Sequence, residues 1–556
     1  MRESATDALF DPGPQGTGIS RRSFLTTALV VGTAAASGGL LLPGCSSASP
    51  ASQGGAGSLS KLQGILPSYV PVSYVKPDLP SVNGAPPGFL KYPANLVQTI
   101  KQAAGSGGSV TAMTPAFWPI PPSPSAYYDA VNKRLGVDVQ FQIVNGGDYG
   151  AKISALLAGK QLPDMTVIPT WNFPPRFSEA VAPLFADITD HVKGDNVKKY
   201  AYLANLPTAS WQYCTFGGRI YGVPFPNGLF PLVPFYRKDI FDKLGASQPK
   251  NSDDFLKLGQ QLTDPKSNRW AFGDVFNEVQ RMFGVPASWR KDSKGNLVYA
   301  IETPEFEAAV AFMKKLYDGG YVHPTVVAGD TSQAKDLFES GRMLVYVDGV
   351  GAWHEALERQ RPANPSFDMQ AFAPYAHDGG KPIVWINDPT QIMMFINKNL
   401  PSDKIDQMLR IANFAAATIG SEEFQLVQYG VEGVHYKKGP DGSPVATDQG
   451  KREVTYTYAF LAGRPDSIVE PQYPDFVRTS YDWQSNAAKY LEKSPFYGLR
   501  VEEPAQLTGI RQPFDDKVND ILRGRAPISD LKPAVDSWRQ RGGTQLRDFY
   551  GKLLKG

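Results

Sequence analysis

Two cysteines, Cys45 and Cys214, are all that this chain of 556 residues carries. That is too few for a disulfide framework, so stability has to come from a large buried core, and the length permits two or three domains' worth of burial. Charge of either sign is also missing in excess. The 56 basic and 54 acidic residues leave +2, with no polybasic cluster, which argues against nucleic acid or an electrostatic membrane patch as partner. Beyond residue 44 there is no apolar run long enough to span a bilayer. Five histidines (His191, His323, His354, His377, His435) are scattered without paired ligand spacing, and no metal is expected. His354-Glu355-Ala356-Leu357-Glu358 begins like a zinc helix but lacks the second His one turn on. Neither a Gly-x-Ser-x-Gly elbow nor a Gly-x-x-x-x-Gly-Lys-Ser/Thr loop is present, and Gly105-Ser106-Gly107-Gly108 precedes a strand, so it reads as a linker. Cys214 has no Cys or His near it in sequence and reads as a small buried residue. Carboxylates are too numerous for any pair to stand out as a glycosidase acid and nucleophile. No catalytic residue and no cofactor are expected.

What is present begins at the N-terminus. Ser20-Arg21-Arg22-Ser23-Phe24-Leu25 resembles a twin-arginine export signal, and the run from Leu25 to Leu42 is diluted with Ala, Gly, Ser and Thr, too weakly apolar for a spanning helix. Leu42-Pro43-Gly44-Cys45 resembles a lipobox. Residues 1–44 are then a signal peptide, and Cys45 is the mature N-terminus, carrying a diacylglycerol that anchors the protein on the outer face of the cell membrane. Because twin-arginine export handles folded proteins, the body is expected to be compact. Residues 45–60 read as a flexible stalk by their Ser, Gly and Ala content, and residues 61–106 as a Pro-rich extended arm lying across the fold.

From there the pattern is α/β. Short strands are predicted at Ser109 to Met113, around Val137 to Ile143, at Met165 to Ile168 and at Met343 to Val347. Helices are predicted at Tyr149 to Leu157, stopped by Gly159, from Thr303-Pro304-Glu305 to Asp318, and from Asp330 to Ser340. Strands alternating with helices predict mainly parallel sheets covered on both faces, with ligands at the carboxyl ends of the strands.

The order of motifs from Asp148 onward resembles the extracellular solute-binding protein family 1, in its large-lipoprotein branch. The matching pieces are Leu156 to Asp164, Leu184 to Val192, Gly217-Gly218-Arg219-Ile220-Tyr221-Gly222-Val223-Pro224, Phe235 to Gly245, Phe338 to Met343, Ile521-Leu522-Arg523-Gly524 and Trp538 to Gly543. The resemblance implies a two-lobed, type II periplasmic-binding-protein fold with hinge-connected lobes. It places the first lobe at 107–232 with a return at 387–430, the second at 233–386, and a crossing back with C-terminal helices, mainly on the second lobe, at 431–556. It also implies a monomeric lipoprotein that captures a sugar and delivers it to the permease subunits of an ABC importer, without making or breaking a bond. One departure stands out. Relatives often hold an Asp/Asn-rich calcium loop where this chain has Thr263-Asp264-Pro265-Lys266-Ser267-Asn268-Arg269-Trp270, and one carboxylate among two cations does not suit calcium.

Sugar recognition needs flat apolar faces and planar polar groups. Candidates just past strand ends or at crossings are Phe117 and Trp118, Trp171 and Asn172, Phe225, Asn227 and Phe230, Asp348 and Trp353, and Trp385, Asn387 and Asp388, with Glu432 near a later crossing. Trp171 and Trp385 are expected from opposite sides of the cleft, or from one lobe and the crossing strand, whereas Trp211 is assigned to packing. A long Trp-rich cleft suits an oligosaccharide. With only Arg176 and Arg237 near the aromatics, a neutral or weakly charged one is expected. Two alternatives stay open: an exported polysaccharide-active enzyme, which would need a carboxylate pair about 5–10 Å apart across the cleft, and a surface sugar-binding adhesin or sensor without a transport role.

Overall fold

The computed structural model describes residues 62–470 and 473–554; the signal segment, Cys45 and the stalk lie outside the described residues. Nine strands build the two main sheets. β1 (Ser109–Ala116), β2 (Asp138–Asn145), β3 (Met165–Pro169) and β4 (Gly222–Pro226) precede a first crossing. β5 (Val233–Arg237), β6 (Trp270–Phe272), β7 (Met343–Asp348) and β8 (Met369–Ala371) follow it, and β9 (Thr390–Ile396) returns to the first sheet after a second crossing. The first lobe's sheet has the order β2-β1-β3-β9-β4 and the second lobe's β8-β5-β7-β6.

Strand direction follows from the crossings. β9 starts where the chain re-enters the first lobe, runs away from the hinge, and is antiparallel to both β3 and β4. β5 does the same in the second lobe, antiparallel to β7 and β8, with Asp348 opposite Val233. The remaining strands of both sheets point their carboxyl ends toward the hinge. The first sheet keeps the predicted parallel pairs of β1 with β2 and β3. The second does not, and has one parallel pair, β6 with β7. Its central strand enters straight from a crossing, with no helical crossover to reverse it.

β9 is apolar without interruption because both faces of its sheet are covered. Ile392, Met394 and Ile396 join Val110, Tyr127, Met165 and Met408 on one face, while Met393 and Phe395 join Met113, Tyr149, Ile168 and Phe177 on the other. The second lobe's core gathers Val233, Phe235, Phe272, Val310, Met343 and Val345 with residues of the C-terminal helices such as Trp483 and Trp538. Trp211 is 1 % exposed, and its indole N–H donates to the Leu203 carbonyl.

Local signals decide most helix ends. Thr303 caps Pro304–Asp318 by accepting from the Phe306 N–H. The helix at 146–159 begins earlier than its apolar spacing indicates because Asn145 caps it, and Lys160, not Gly159, takes the left-handed C-cap conformation at φ 54. The predicted helix from Asp330 shrinks to Ala334–Glu339. Asp330 is spent on the N–H and hydroxyl of Ser332, which favours a turn there.

The arm is stitched to both lobes. Leu62 and Ala85 enter the second lobe's core and Phe89 and Ala104 the first's, and Gly88–Phe89 pairs in parallel with Ile468–Val469. The segment after 430 is divided as well, since Tyr458 to Ala462 pack into the first lobe and Ile468 onward into the second. Among the described residues no helix is long and apolar enough to cross a membrane.

Candidate functional site

Three crossings form the floor between the lobes. The first, after β4, pairs with the second through the Asn227 N–H to the Pro389 carbonyl (3.1 Å) and the Asn387 N–H to the Leu229 carbonyl (2.9 Å). The third passes beside the first at Gly463, whose N–H reaches the Pro224 carbonyl. A Cβ at 463 would lie 2.9 Å from Phe225 Cα, so only glycine permits this approach. The third crossing is therefore at 463–468 and not near Glu432, where the sequence reading put it.

On the first-lobe side a chain of aromatic rings runs from the lip into the core, where Phe460 is fully buried. Trp171 lies 6.2 Å from Phe117 and Phe117 lies 6.5 Å from Trp118. Trp118 in turn lies 5.7 Å from Tyr456 and 5.5 Å from Phe460, and Phe460 lies 5.8 Å from Phe225 (ring centroids). Trp171 is 37 % exposed at the lip, and Trp118 is 8 % exposed behind it. Polar atoms beside these rings lack partners: the Trp118 indole N–H, Asn172 Oδ1 and Asn227 Oδ1 are buried without a hydrogen bond. Such atoms are rare in folded proteins, and because each is sealed from solvent, an ordered water or a local shift has to complete its bonding.

Charge on the floor is tuned by its surroundings. Asp388 touches solvent yet has protein on most sides, and burial raises its carboxyl although the Tyr213 hydroxyl donates to it at 3.0 Å. Asp466, beside Gly228, is raised by burial in the same way. Arg464 is drawn below its ordinary range by burial. Its guanidinium sits 4.8 Å over the Phe424 ring and donates to Gln428 Oε1 at 3.0 Å.

Several expected site residues are placed elsewhere. Trp353 is 1 % exposed, donates to the Met369 carbonyl at 2.6 Å and packs against Phe235 and Phe476. This corrects its reading as a cleft residue, because the first turn of helix Ala352–Gln360 turns it down onto the sheet. Phe230 is likewise buried against Trp483. Trp385 spends its indole N–H on the Val285 carbonyl, with Arg281 at 6.0 Å from its ring, so it is pinned to the second lobe. The Asn387 side chain ties the crossings together through the Gly228 carbonyl. Asp348 ends β7 and accepts from its own neighbours, the Tyr346 hydroxyl and the Gly349 N–H. Glu432 is exposed and 3.3 Å from Lys438 on a surface hairpin, a correction to its assignment to the cleft.

Sequence reasoning missed Tyr456, Phe460, Arg464 and Asp466. A signal was available, since Gly463-Arg464-Pro465-Asp466 sets one charge between two chain breakers and a second just after them, close behind the aromatics Tyr456, Tyr458 and Phe460. Among the described residues no group of three or more His, Cys, Asp and Glu could hold a metal. In the departed calcium loop, Asp264 is engaged by Ser267 and Arg269 of its own turn. Cys214 is buried, and burial raises its thiol well above the ordinary range.

A family model of bacterial extracellular solute-binding proteins matches residues 119–401. The chain is 22% identical over 425 residues to the polygalacturonan/rhamnogalacturonan-binding protein YtcQ of Bacillus subtilis, covering 73% of this chain and 83% of that protein. It is 22% identical over 489 residues to lipoprotein LipO of the same organism, covering 82% and 94%. Similar solved structures include an HMO-binding solute-binding protein associated with an ABC transporter of Bifidobacterium longum infantis. That match has a TM-score of 0.60 at 12% identity over 81% of this chain and 99% of that one. The N-glycan transport solute-binding protein of Streptococcus pneumoniae matches with a TM-score of 0.57 at 16% identity, over 81% and 99%. These structural likenesses establish the type II, two-lobed α/β fold.

Proposed function

We propose that this chain, which belongs to the bacterial extracellular solute-binding protein family, captures an oligosaccharide between its lobes and delivers it to the permease of an ABC importer. The observation that carries the reading is the chain of rings from Trp171 to Phe225, with the unspent Trp118, Asn172 and Asn227 atoms beside it. Pyranose rings stack by their C–H faces on such rings, and each stacked pair adds about 0.5–1.5 kcal/mol beyond area burial. The rings with exposed surface, Trp171, Phe117, Tyr456 and Phe225, suit more than one sugar. The relatives named for polysaccharide and glycan binding support the same class.

Capture needs no bond to be made or broken. A ligand held on the first-lobe rings favours the closed state only through additional contacts with the second lobe, and the crossings absorb the rotation. Cys45 carries the lipid anchor in this reading, after export through the twin-arginine pathway, and the protein acts as a monomer on the outer face of the membrane. Titration calorimetry against neutral and acidic oligosaccharides tests the proposal, and binding to at least one series is expected. Failure of every sugar to bind would sink it, and release of shorter sugars on incubation would point to the exported enzyme instead.

A further inference from the structure

The segment from Gly498 to Glu503 lies between the lobes and is gripped by both. It follows Leu491–Glu492, which pairs in parallel with Val384–Trp385 on the second lobe. Phe496 and Leu499 are buried in the second lobe's core, and Val501 packs against it. The Phe496 ring lies 4.7 Å from that of Tyr550, whose hydroxyl donates to Glu503 at 3.0 Å. The residues in between turn to the first lobe. Gln212 Nε2 donates to the Gly498 carbonyl at 3.0 Å and Arg500 donates to Ser178 Oγ at 3.0 Å. Glu502 accepts from the Ser178 N–H at 3.2 Å, in the first turn of helix Phe177–Leu184. Arg500 reaches furthest into that lobe. Its side chain is 9 % exposed, and its guanidinium lies 3.9 Å over the ring of Phe216, a first-lobe core residue. Its carboxylate partner Glu502, at 3.9 Å, travels with it on the same segment.

Side chains that face opposite lobes in alternation make this segment a tie, not a loop of either lobe. Its place relative to the third crossing matters for motion. Beside Gly463, Phe460 packs with Ile392 and Met394 on one face of the first sheet, whereas Phe216 packs with Met393 and Phe395 on the other. The first lobe is therefore held from both sides of its sheet. Two such holding points allow rotation about the line through them and resist twist across it. We infer that residues 498–503 form a fourth, non-covalent connection between the lobes, and that Arg500 is a positioning residue confining their motion to a single closing rotation. A buried guanidinium is costly to detach from its ring and hydrogen-bond partner, so the contact moves with the pivot and does not open in each cycle. This holds for whatever ligand the cleft takes, and it rests on the lobe rotation of the proposed function.

The test reads inter-lobe distances without sugar. Nitroxides are attached at Lys152→Cys in the first lobe and Lys257→Cys in the second, both exposed positions. The full chain also carries Cys45→Ser, which leaves buried Cys214 as the only native thiol. Double electron–electron resonance should give a narrow distribution for this parent, and Arg500→Gln should broaden it about twofold. Gln212→Ala and Glu502→Gln, at the margin of the tie, should broaden it less. Arg290→Gln is the control, because its pair with Glu305 lies wholly inside the second lobe. It should lower the melting temperature and leave the width unchanged. A broad parent distribution, no broadening by Arg500→Gln, or equal broadening by Arg290→Gln would overturn the inference. If melting curves show that Arg500→Gln does not fold, the two milder variants decide, and unchanged widths in both overturn it. With no sugar in the sample, failure here leaves the oligosaccharide reading standing, and that reading falls only by calorimetry.

Discussion

The two lobes face the same cleft with different economies of polar groups. The first lobe leaves the Trp118, Asn172 and Asn227 atoms without partners next to exposed aromatic surface. The second lobe's candidate residues are engaged within the lobe, since Asp348 takes the Tyr346 hydroxyl and the Gly349 N–H, Trp353 donates to Met369, Trp385 donates to Val285, and Glu278 holds Arg281, although Arg281 Nε and both Glu355 carboxylate oxygens are buried there without a hydrogen-bond partner. Leaving polar atoms unsatisfied costs stability, and both lobes do so; what differs is that the first lobe's atoms lie beside an exposed aromatic ring, Trp171. The contrast assigns roles. On the proposed function, the first lobe with the crossings would be the docking platform and the second the closing element.

The largest expected effect tests the second lobe's role. Trp353→Ala should lower stability by about 3–5 kcal/mol through the cavity it leaves, read as a fall in melting temperature, with little change in affinity of the protein that remains folded. Trp211→Ala should behave alike in the first lobe. If Trp353→Ala instead weakens sugar binding at unchanged melting temperature, the assignment of its ring to the core is wrong.

Trp171→Ala should do the opposite, weakening sugar binding by about 1–3 kcal/mol through lost stacking and apolar burial while leaving the melting temperature nearly unchanged. Trp385→Ala separates the two lobes further. Its ring is pinned within the second lobe, so melting temperature should respond more than calorimetric affinity. A larger loss of affinity for Trp385 than for Trp171 would reverse the platform and the closing element.

The first lobe's scaffold can be probed by pH. Burial alone would raise the Asp406 carboxyl, but hydrogen bonds from Tyr200, His191 and Lys199 hold it down at about 2. A depressed acid stabilises the fold above its unfolded value and loses that contribution as pH falls through the folded one, here between about pH 4 and pH 2. After allowance for solvent screening of this partly exposed group, Asp406→Asn should therefore cost about 1 kcal/mol at neutral pH and flatten acid unfolding in that window. An unchanged acid limb in denaturation curves would remove Asp406 from the account.

Glu432→Ala is the smallest of these changes. An exposed pair with Lys438 is worth roughly 0–1 kcal/mol, and neither melting nor titration should move appreciably. A clear loss of affinity would return Glu432 to the cleft.

The sequence by itself determined the elements and their order. Apolar alternation, the Thr303 cap and the chain of loose motifs from Asp148 onward are local properties, set by backbone geometry within a few residues. They placed Trp118, Trp171 and Trp353 alike past strand ends, and they separated Trp211 as a helical packing residue. Tertiary structure alone decided which of those rings faces the cleft. Trp353 and Trp171 follow comparable strands, yet one is drawn under by Phe235 and Phe476 and the other stays at the lip beside Phe117. Direction at a strand end depends on what distant chain arrives to cover it. The same holds for the arm, which pairs at Gly88–Phe89 with a strand some 380 residues later. It holds also for Arg464, whose place beside the aromatic rings is fixed by Phe424, Gln428 and the close passage of Gly463 against Phe225, contacts that no local pattern encodes.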